Sequence, residues 1–512
     1  MGVLGVVLLI CAPVLGSGFL TDDHFLIEHG RLVGDPSLAA VVGLLTHDTL
    51  YNHDPDRIDS GTMGTYRPLP LVVFWLERRL FDLAPTGYHA VNLTLHLLCV
   101  ALLSWLVRRL SGDGHAALLA AFVLGVHPAV AEAWTWVNGV CDLLQALGVL
   151  GALACFERGR ALAGAACLFA ACCSKEVGLV AAPLLAVRPR WPTDPAETPP
   201  FRLRPPAQLA AIGGVLAAIF GLRAAFLPHA TVLAASGHVA AAAAVAPGFV
   251  GLAALDLLLP VHAAERYMLV DTQALGTLGN LGLALLAVGV AAWLARAWRT
   301  HPARLWYATS AVACMLPCAL TIPVEWGHWG GGRYRYLPLA LLLGALAPFT
   351  WRLLSRRSAQ VVLGAWLVLL CIQAENAIEA HADEESYGRV TSQEFPERSH
   401  GWQQLGLALC LKGRLGEGRR ALERAVALRP TAHGARHNLV RCTLQAGDPQ
   451  RALALARQGQ VLTPRPELWV GASLALAQAG DRAGAIAEAE RGRDRFPKDE
   501  GLAALLRALR DR

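Results

Sequence analysis

Residues 18–30 read GFLTDDHFLIEHG, and Asp22 and Asp23 follow directly on the first apolar run of the chain. Adjacent acids at the mouth of a membrane helix are either a solvated helix end or working carboxylates that take a proton from a hydroxyl. A free aspartate, with a pKa of about 3.9, is a weak base, and partial burial beside a second acid strengthens it. Neighbours on a helix point about 100° apart, so only one of the pair is aimed at a reacting group. Asp22 is the preferred one; Asp23 would orient a cation or bind acceptor. Farther along the same loop stand Glu28, Asp35, Asp48, Asp54, Asp56 and Asp59. Solvation is the reading for the last three, and THDTLYNHDPD lacks metal-ligand spacing.

Other chemistry-bearing residues are scattered through the chain. Arg67 lies in TYRPLP, His127 and Glu132 in HPAVAEAWTWVNGVCDLL, Lys175 and Glu176 in SKE, and Arg333 and Arg335 in GGRYRYLPL. Each stretch stands at the end of an apolar run. Ionisable groups at membrane depth are costly and mark function by default. The Asn92-Leu93-Thr94 sequon falls inside an apolar run and reads as accidental.

What must bring these residues together is a helix bundle in a bilayer. The 512 residues are 54% hydrophobic and 16% charged, against about 25% charged in ordinary soluble proteins. Eleven candidate spans follow: 2–18, 87–107, 115–128, 137–156, 160–174, 176–187, 207–227, 276–294, 305–322, 337–350 and 359–375. The first lacks a basic leader region and reads as an uncleaved helix rather than a signal peptide. Arginines cluster in alternate loops: Arg108/Arg109, Arg158/Arg160, Arg188–Arg204, Arg296–Arg304 and Arg352–Arg357. By the positive-inside rule those loops are cytoplasmic. The acid loop (19–86), the SKE tip and the C-terminal residues are then outside. Stretch 229–270 reads as an interfacial helix. The net charge of +6 reflects this orientation rather than nucleic-acid binding. The 12 cysteines suggest packing, with neither zinc spacing nor a disulfide framework.

From about Glu385 the composition changes to charged and alanine-rich. Pro396, Pro430, Pro464 and Pro497 recur at tetratricopeptide spacing. Trp402, Leu405, Gly406, Leu422 and Ala425 occupy that repeat's signature offsets, and 498–511 reads as an amphipathic cap. The expected architecture is all-α: residues 1–380 a polytopic membrane bundle of about eleven spans, 381–398 a linker, and 399–512 a three-repeat α-solenoid. Such a solenoid is a generic peptide-docking module.

The double aspartate, YRPL, YHAVNLTLHL, HPAVAEAW…NGVCDLL, SKE, LDLLLP, RYRYLP and the terminal repeats occur in an order that resembles the transmembrane-and-tetratricopeptide O-mannosyltransferases. These are GT-C superfamily glycosyltransferases using polyprenyl-phosphate sugars. The chain departs from the family pattern at Val130, Val140, Gly332 and Leu339, where a histidine, an arginine, a glutamate and a serine usually stand. The resemblance implies a GT-C-type bundle and inverting transfer of a sugar, mannose first, to a protein Ser/Thr hydroxyl on the outer or lumenal face. Asp22 and Asp23 would be the catalytic acids. Arg333, Arg335, Arg67 and Lys175 would meet donor phosphate, Arg333 first because it aligns with the family's arginine. His127, Glu132 and Glu176 would contact sugar or acceptor, a helix-capping role being equally open for His127 and Glu132. Trp326, Trp329, Tyr334 and Tyr336 would line a groove or an interfacial belt. Partners would be the lipid-linked sugar, membrane lipid, and an acceptor protein held by the repeats. A divalent cation is left open, with no metal ligands assigned. Location would be a bacterial inner membrane with periplasmic repeats, or the endoplasmic reticulum. A glycan or lipid acceptor, and a non-catalytic membrane-anchored scaffold, are the alternatives.

Overall fold

A computed structural model describes residues 2–47, 49, 65–189, 201–226, 306–314, 332–353, 357–497 and 499–511. The chain divides into two units, Met1–His381 and Ala382–Arg512.

The first unit opens with α1 (Gly2–Cys11) and a 3₁₀ turn, Ala12–Gly16. The acid loop then folds on itself: a π-helical turn His24–Glu28, α2 (Arg31–Gly34), α3 (Leu38–Thr46) and α4 (Pro68–Phe81). α3 and α4 carry the apolar runs LAAVVGLL and PLPLVVFWL of the loop. There follow α5 (Pro85–Ser111), α6 (Gly114–Val126), the single turn α7 (Glu132–Thr135), α8 (Val140–Glu157), α9 (Ala161–Ser174) and α10 (Val177–Leu185). Strands β1 (Val187–Pro189) and β2 (Phe201–Leu203) pair antiparallel, Arg188 opposite Arg202. Among the described residues there follow α11 (Pro206–Phe226), the helical stretch 306–314, α12 (Tyr336–Leu353) and α13 (Arg357–Ala380).

Local chemistry sets the breaks. Pro85 sits in the first turn of α5, where no N–H is needed. Gly112 ends that helix by donating to the Arg108 carbonyl. The Asp113 carboxylate then caps α6 by accepting from the His115 and Ala116 N–H groups. Lys175 is extended (φ −160°), so α9 and α10 remain two helices rather than one.

Among the described residues four helical stretches are long and apolar enough to cross a membrane: Pro85–Arg109, Val137–Glu157, Pro206–Phe226 and Arg357–Ala380. Shorter apolar helices are Gly2–Gly16, Gly114–Val126 and Ala161–Ser174. These mark a membrane protein. Expected span 276–294 and stretch 229–270 lie outside the described residues, and of 305–322 only the helical stretch 306–314 is described. One continuous core joins Val7, Leu103, Leu124, Leu150, Tyr307 and Leu370. A second cluster, with Phe19, Ile27, Leu44, Phe74, Tyr88 and Val140, lies under the acid loop and ties it to the start of α8.

The second unit is wholly helical among its described residues. α14 (Glu384–Glu394) precedes three pairs: α15 (Ser399–Leu411) with α16 (Leu415–Leu428), α17 (His433–Gln445) with α18 (Pro449–Leu462), and α19 (Pro466–Gln478) with α20 (Arg482–Arg495). α21 (Glu500–Arg510) closes the array, burying Leu502 and Leu506. Each pair turns on a left-handed glycine: Gly413, Gly447 and Gly480, at φ 78°, 76° and 87°. One expectation is overturned here. Cys410 and Cys442 form a disulfide joining α15 to α17, their Cα atoms 5.8 Å apart. Their separation of 32 residues is close to the repeat period, so stacking sets them side by side. That adjacency is invisible to a search for short cysteine spacings.

Candidate functional site

The acid loop, the start of α8 and the start of α12 meet at one end of the first unit, and the two aspartates divide there. Asp23 is 1% exposed. Its Oδ2 accepts from the Leu20 N–H at 3.0 Å and its Oδ1 from the Asn138 N–H at 2.9 Å. Burial, with a further push from Asp22, raises its pKa to about 8 against the pull of those two N–H groups. Asp22 keeps half its side chain (51%) open. Its Oδ2 accepts from the Asn138 amide at 3.2 Å and lies 3.9 Å from Arg333 Nη2. Asp22 is therefore presented, whereas Asp23 is a buried anchor for two backbone segments.

Arg333 comes from the 3₁₀ turn Gly332–Arg335 that leads into α12. Its backbone N–H donates to Glu132 Oε2 at 3.0 Å, and its Nε lies 3.3 Å from Glu132 Oε1. The guanidinium stacks 4.4 Å from the centre of the Trp136 ring. Burial opposes its charge, but Glu132, Tyr334 and Asp22 hold its pKa well above the usual value. Its Nη1 is buried and has no hydrogen-bond partner among the described residues. A Cβ at Gly332 would stand 2.8 Å from the Ala129 carbonyl oxygen, so no larger residue fits this arrangement.

The remaining expected residues are engaged elsewhere. Arg67 makes a two-pronged pair with Glu176, 3.0 Å from Nε and 2.7 Å from Nη2 to Oε2. Burial works against the Arg67 charge, yet Glu176 holds its pKa above the usual value. Lys175, expected at the outer SKE tip within reach of the donor phosphate, is buried at 3% with its Nζ 2.5 Å from Asp142 Oδ1 and 3.8 Å above the Tyr334 ring. An unpaired ammonium could not be carried to that depth, which is why the tip folds inward onto an acid. His127 is wholly buried and its Nδ1 caps the 3₁₀ turn Pro128–Val130 by accepting from the Ala129 N–H. Arg335 is buried at 4%, and Tyr336, expected along a groove, is wholly buried with its hydroxyl on His96 Nδ1 at 2.7 Å. Asp48, Asp54, Asp56, Asp59, Trp326 and Trp329 lie outside the described residues.

Sequence reasoning passed over four contributors. Asn138 touches both aspartates. Asn92, in the sequon read as accidental, donates to the Trp136 and Val137 carbonyls at 2.9 and 3.0 Å. Asp142 neutralises Lys175. Glu77 of α4 is 3% exposed with neither oxygen hydrogen-bonded among the described residues; burial, and then Asp23, raise its pKa to about 9. The available signal was an amide or acid embedded in apolar sequence, as in YHAVNLTLHLL and NGVCDLL. Among the described residues no three His, Cys, Asp or Glu side chains converge as a metal site.

The comparisons agree with the resemblance drawn from the motifs. Curated relatives are O-mannosyltransferases: Tmtc1 of Drosophila melanogaster is 34% identical over 149 residues, 28% of this chain and 16% of that protein. Mouse TMTC2 is 33% identical over 97 residues, 19% of this chain and 12% of the relative. The matched stretch is thus less than a fifth of either relative's length. No protein-family profile matches. ArnT from Cupriavidus metallidurans, solved bound to undecaprenyl phosphate, aligns over 95% of this chain and 79% of its own at 13% identity and a TM-score of 0.33, a likeness too distant to carry fold or function.

Proposed function

We propose that the chain is a membrane glycosyltransferase that moves a sugar, mannose first, from a polyprenyl phosphate to a Ser/Thr hydroxyl of a protein. Asp22 takes the hydroxyl proton as the acceptor oxygen bonds to the anomeric carbon. The carbon–oxygen bond to phosphate breaks in the same step, and its electron pair leaves on the lipid phosphate. In-line attack inverts the anomeric centre. Arg333 meets the departing phosphate, whose oxygens supply the acceptor that its Nη1 lacks among the described residues. Asp23 holds the loop; Arg67 and Lys175, already paired with acids, contribute field rather than contact.

The observation that carries this reading is the juxtaposition of an exposed carboxylate with a guanidinium 3.9 Å away. A proton acceptor and a phosphate partner that close, yet not fused into a tight pair, suit a displacement in which both must act. The motif resemblance and the partial likeness to O-mannosyltransferases supply the substrate class. The second unit is read as a tetratricopeptide array presenting acceptor polypeptide. Its disulfide favours an oxidising compartment, as outer-face placement requires. A pure scaffold gives no reason for a cation with an unused donor beside an open acid.

The test is transfer from a polyprenyl-phosphate mannose to acceptor peptides in membranes carrying the protein, wild type against Asp22→Asn. Wild type is expected to consume donor and the variant not to. Equal rates would overturn the assignment of Asp22, and a wild type inert toward every lipid-linked sugar would overturn the enzyme reading.

A further inference from the structure

Asn138 lies in the 3₁₀ turn Val137–Gly139, between α7 and α8. Three contacts fix this turn before its side chain is considered. Asn92 binds the carbonyls of Trp136 and Val137. The Trp136 indole N–H donates to the Leu20 carbonyl at 3.2 Å. Gly139 packs so closely on Ala133 that a Cβ would stand 2.3 Å from its carbonyl oxygen. The turn is therefore a rigid block stapled to the acid loop.

From this block Asn138 reaches the two acids with different atoms. Its backbone N–H serves Asp23 and its side-chain amide serves Asp22. The amide orientation follows from its partners. A carboxylate only accepts, so Nδ2 faces Asp22, and Oδ1 turns to the Cys141 thiol at 3.6 Å. Arg333 Nη2, at 3.9 Å from the same Asp22 oxygen, lies beyond hydrogen-bond range. Without another donor on Oδ2, an exposed carboxylate beside a guanidinium would close into a direct pair.

We propose that Asn138 is the positioning residue of the transfer reaction: its side-chain amide holds Asp22 away from Arg333, with the other carboxylate oxygen presented to the acceptor hydroxyl. This rests on the glycosyltransferase reading, and on Asp22 as its base. Other ionisable groups bearing on Asp22 are Asp23 of its own loop, on which His24 also acts, and the Arg333–Glu132 pair.

Asn138→Ala removes the amide while keeping the backbone N–H, so the Asp23 anchor and the fold are retained. Its kcat is expected to fall about 10- to 100-fold, the range for one hydrogen bond to a charged group, with an unchanged thermal midpoint. Asn138→Asp places a like charge beside Asp22 and is expected to move the acid limb of the kcat profile to higher pH. A residue that merely supported the fold would lower activity without moving that limb. Asp22→Asn is run in parallel. If it is inactive while Asn138→Ala keeps wild-type kcat, or Asn138→Asp leaves the limb in place, the role of Asn138 is overturned and the function stands. If Asp22→Asn is itself active, the assignment of Asp22 as base falls first and the inference with it, while the transferase reading is judged by the wild type.

Discussion

The two ends of α8 hold similar charges in opposite conditions. At its C-terminal end Glu157 receives Arg204 at 2.8 Å and Arg188 at 3.3 Å, and the Glu157 and Arg204 side chains are wholly buried. Arg204 also donates to the Leu185 carbonyl, while Gln208 ties to the Phe156 carbonyl at 3.0 Å. The charges there are spent on one another, stitching β1, β2 and α11 to the bundle. At the N-terminal end, over 20 Å away at about 1.5 Å per residue, Asp22 is half open, Arg333 keeps an unused donor, and Glu77 is buried with no hydrogen bond among the described residues. Buried ion pairs that are complete serve architecture, and incomplete ones cost stability that an absent partner would restore. Charge content did not distinguish the ends; satisfaction did.

The sharpest break of that comparison is Asp22→Asn, expected to lower transfer about 10²- to 10⁴-fold, the usual worth of a general base, while leaving the thermal midpoint near wild type. Asp23→Asn should lose less, because the amide still accepts one of the two backbone N–H groups. Next comes the closed end. Arg204→Met takes from buried Glu157 the nearer of its two cations, leaving Arg188, and should cost up to about 3–5 kcal/mol in stability, read by thermal unfolding in detergent, with kcat per folded molecule unchanged. A fall in kcat without unfolding would mean the ends are not divided as described. Arg333→Lys keeps a charge beside Glu132 but loses the planar fork, and should raise the KM for lipid donor about 10- to 100-fold.

The smallest expected effect concerns pH. Glu77 has its pKa raised to about 9 in the fold, so the folded state keeps a proton that the unfolded chain releases near pH 4.5. Its contribution is therefore full at low pH and shrinks as pH rises toward 9. Glu77→Gln mimics the protonated acid. It should unfold at a higher temperature than wild type at pH 8 and at the same temperature at pH 4.

Asp22, Arg333, Glu132 and Lys175 stood out in the sequence because charged side chains beside long apolar runs are costly. Arg67 and Glu176 stood out for the same reason, but their mutual pairing was not legible, since 109 residues separate them. Asn138 and Asp142 lay inside a quoted motif without a role, because an amide or acid at a helix start is ordinary until its partner is known. The C-terminal helix pairs followed from proline and glycine spacing, a local signal repeated often enough to be read directly.

What the sequence determined by itself is whatever depends on short range: apolar length, proline and glycine breaks, aspartate caps, and the repeat period of the second unit. Tertiary structure alone decided which aspartate is open, which cations are already neutralised, and that two cysteines a repeat apart are bonded. The reason is physical. Burial and pairing are properties of residues distant in the chain, and a carboxylate becomes base, anchor or lock according to what the fold sets within about 4 Å of it.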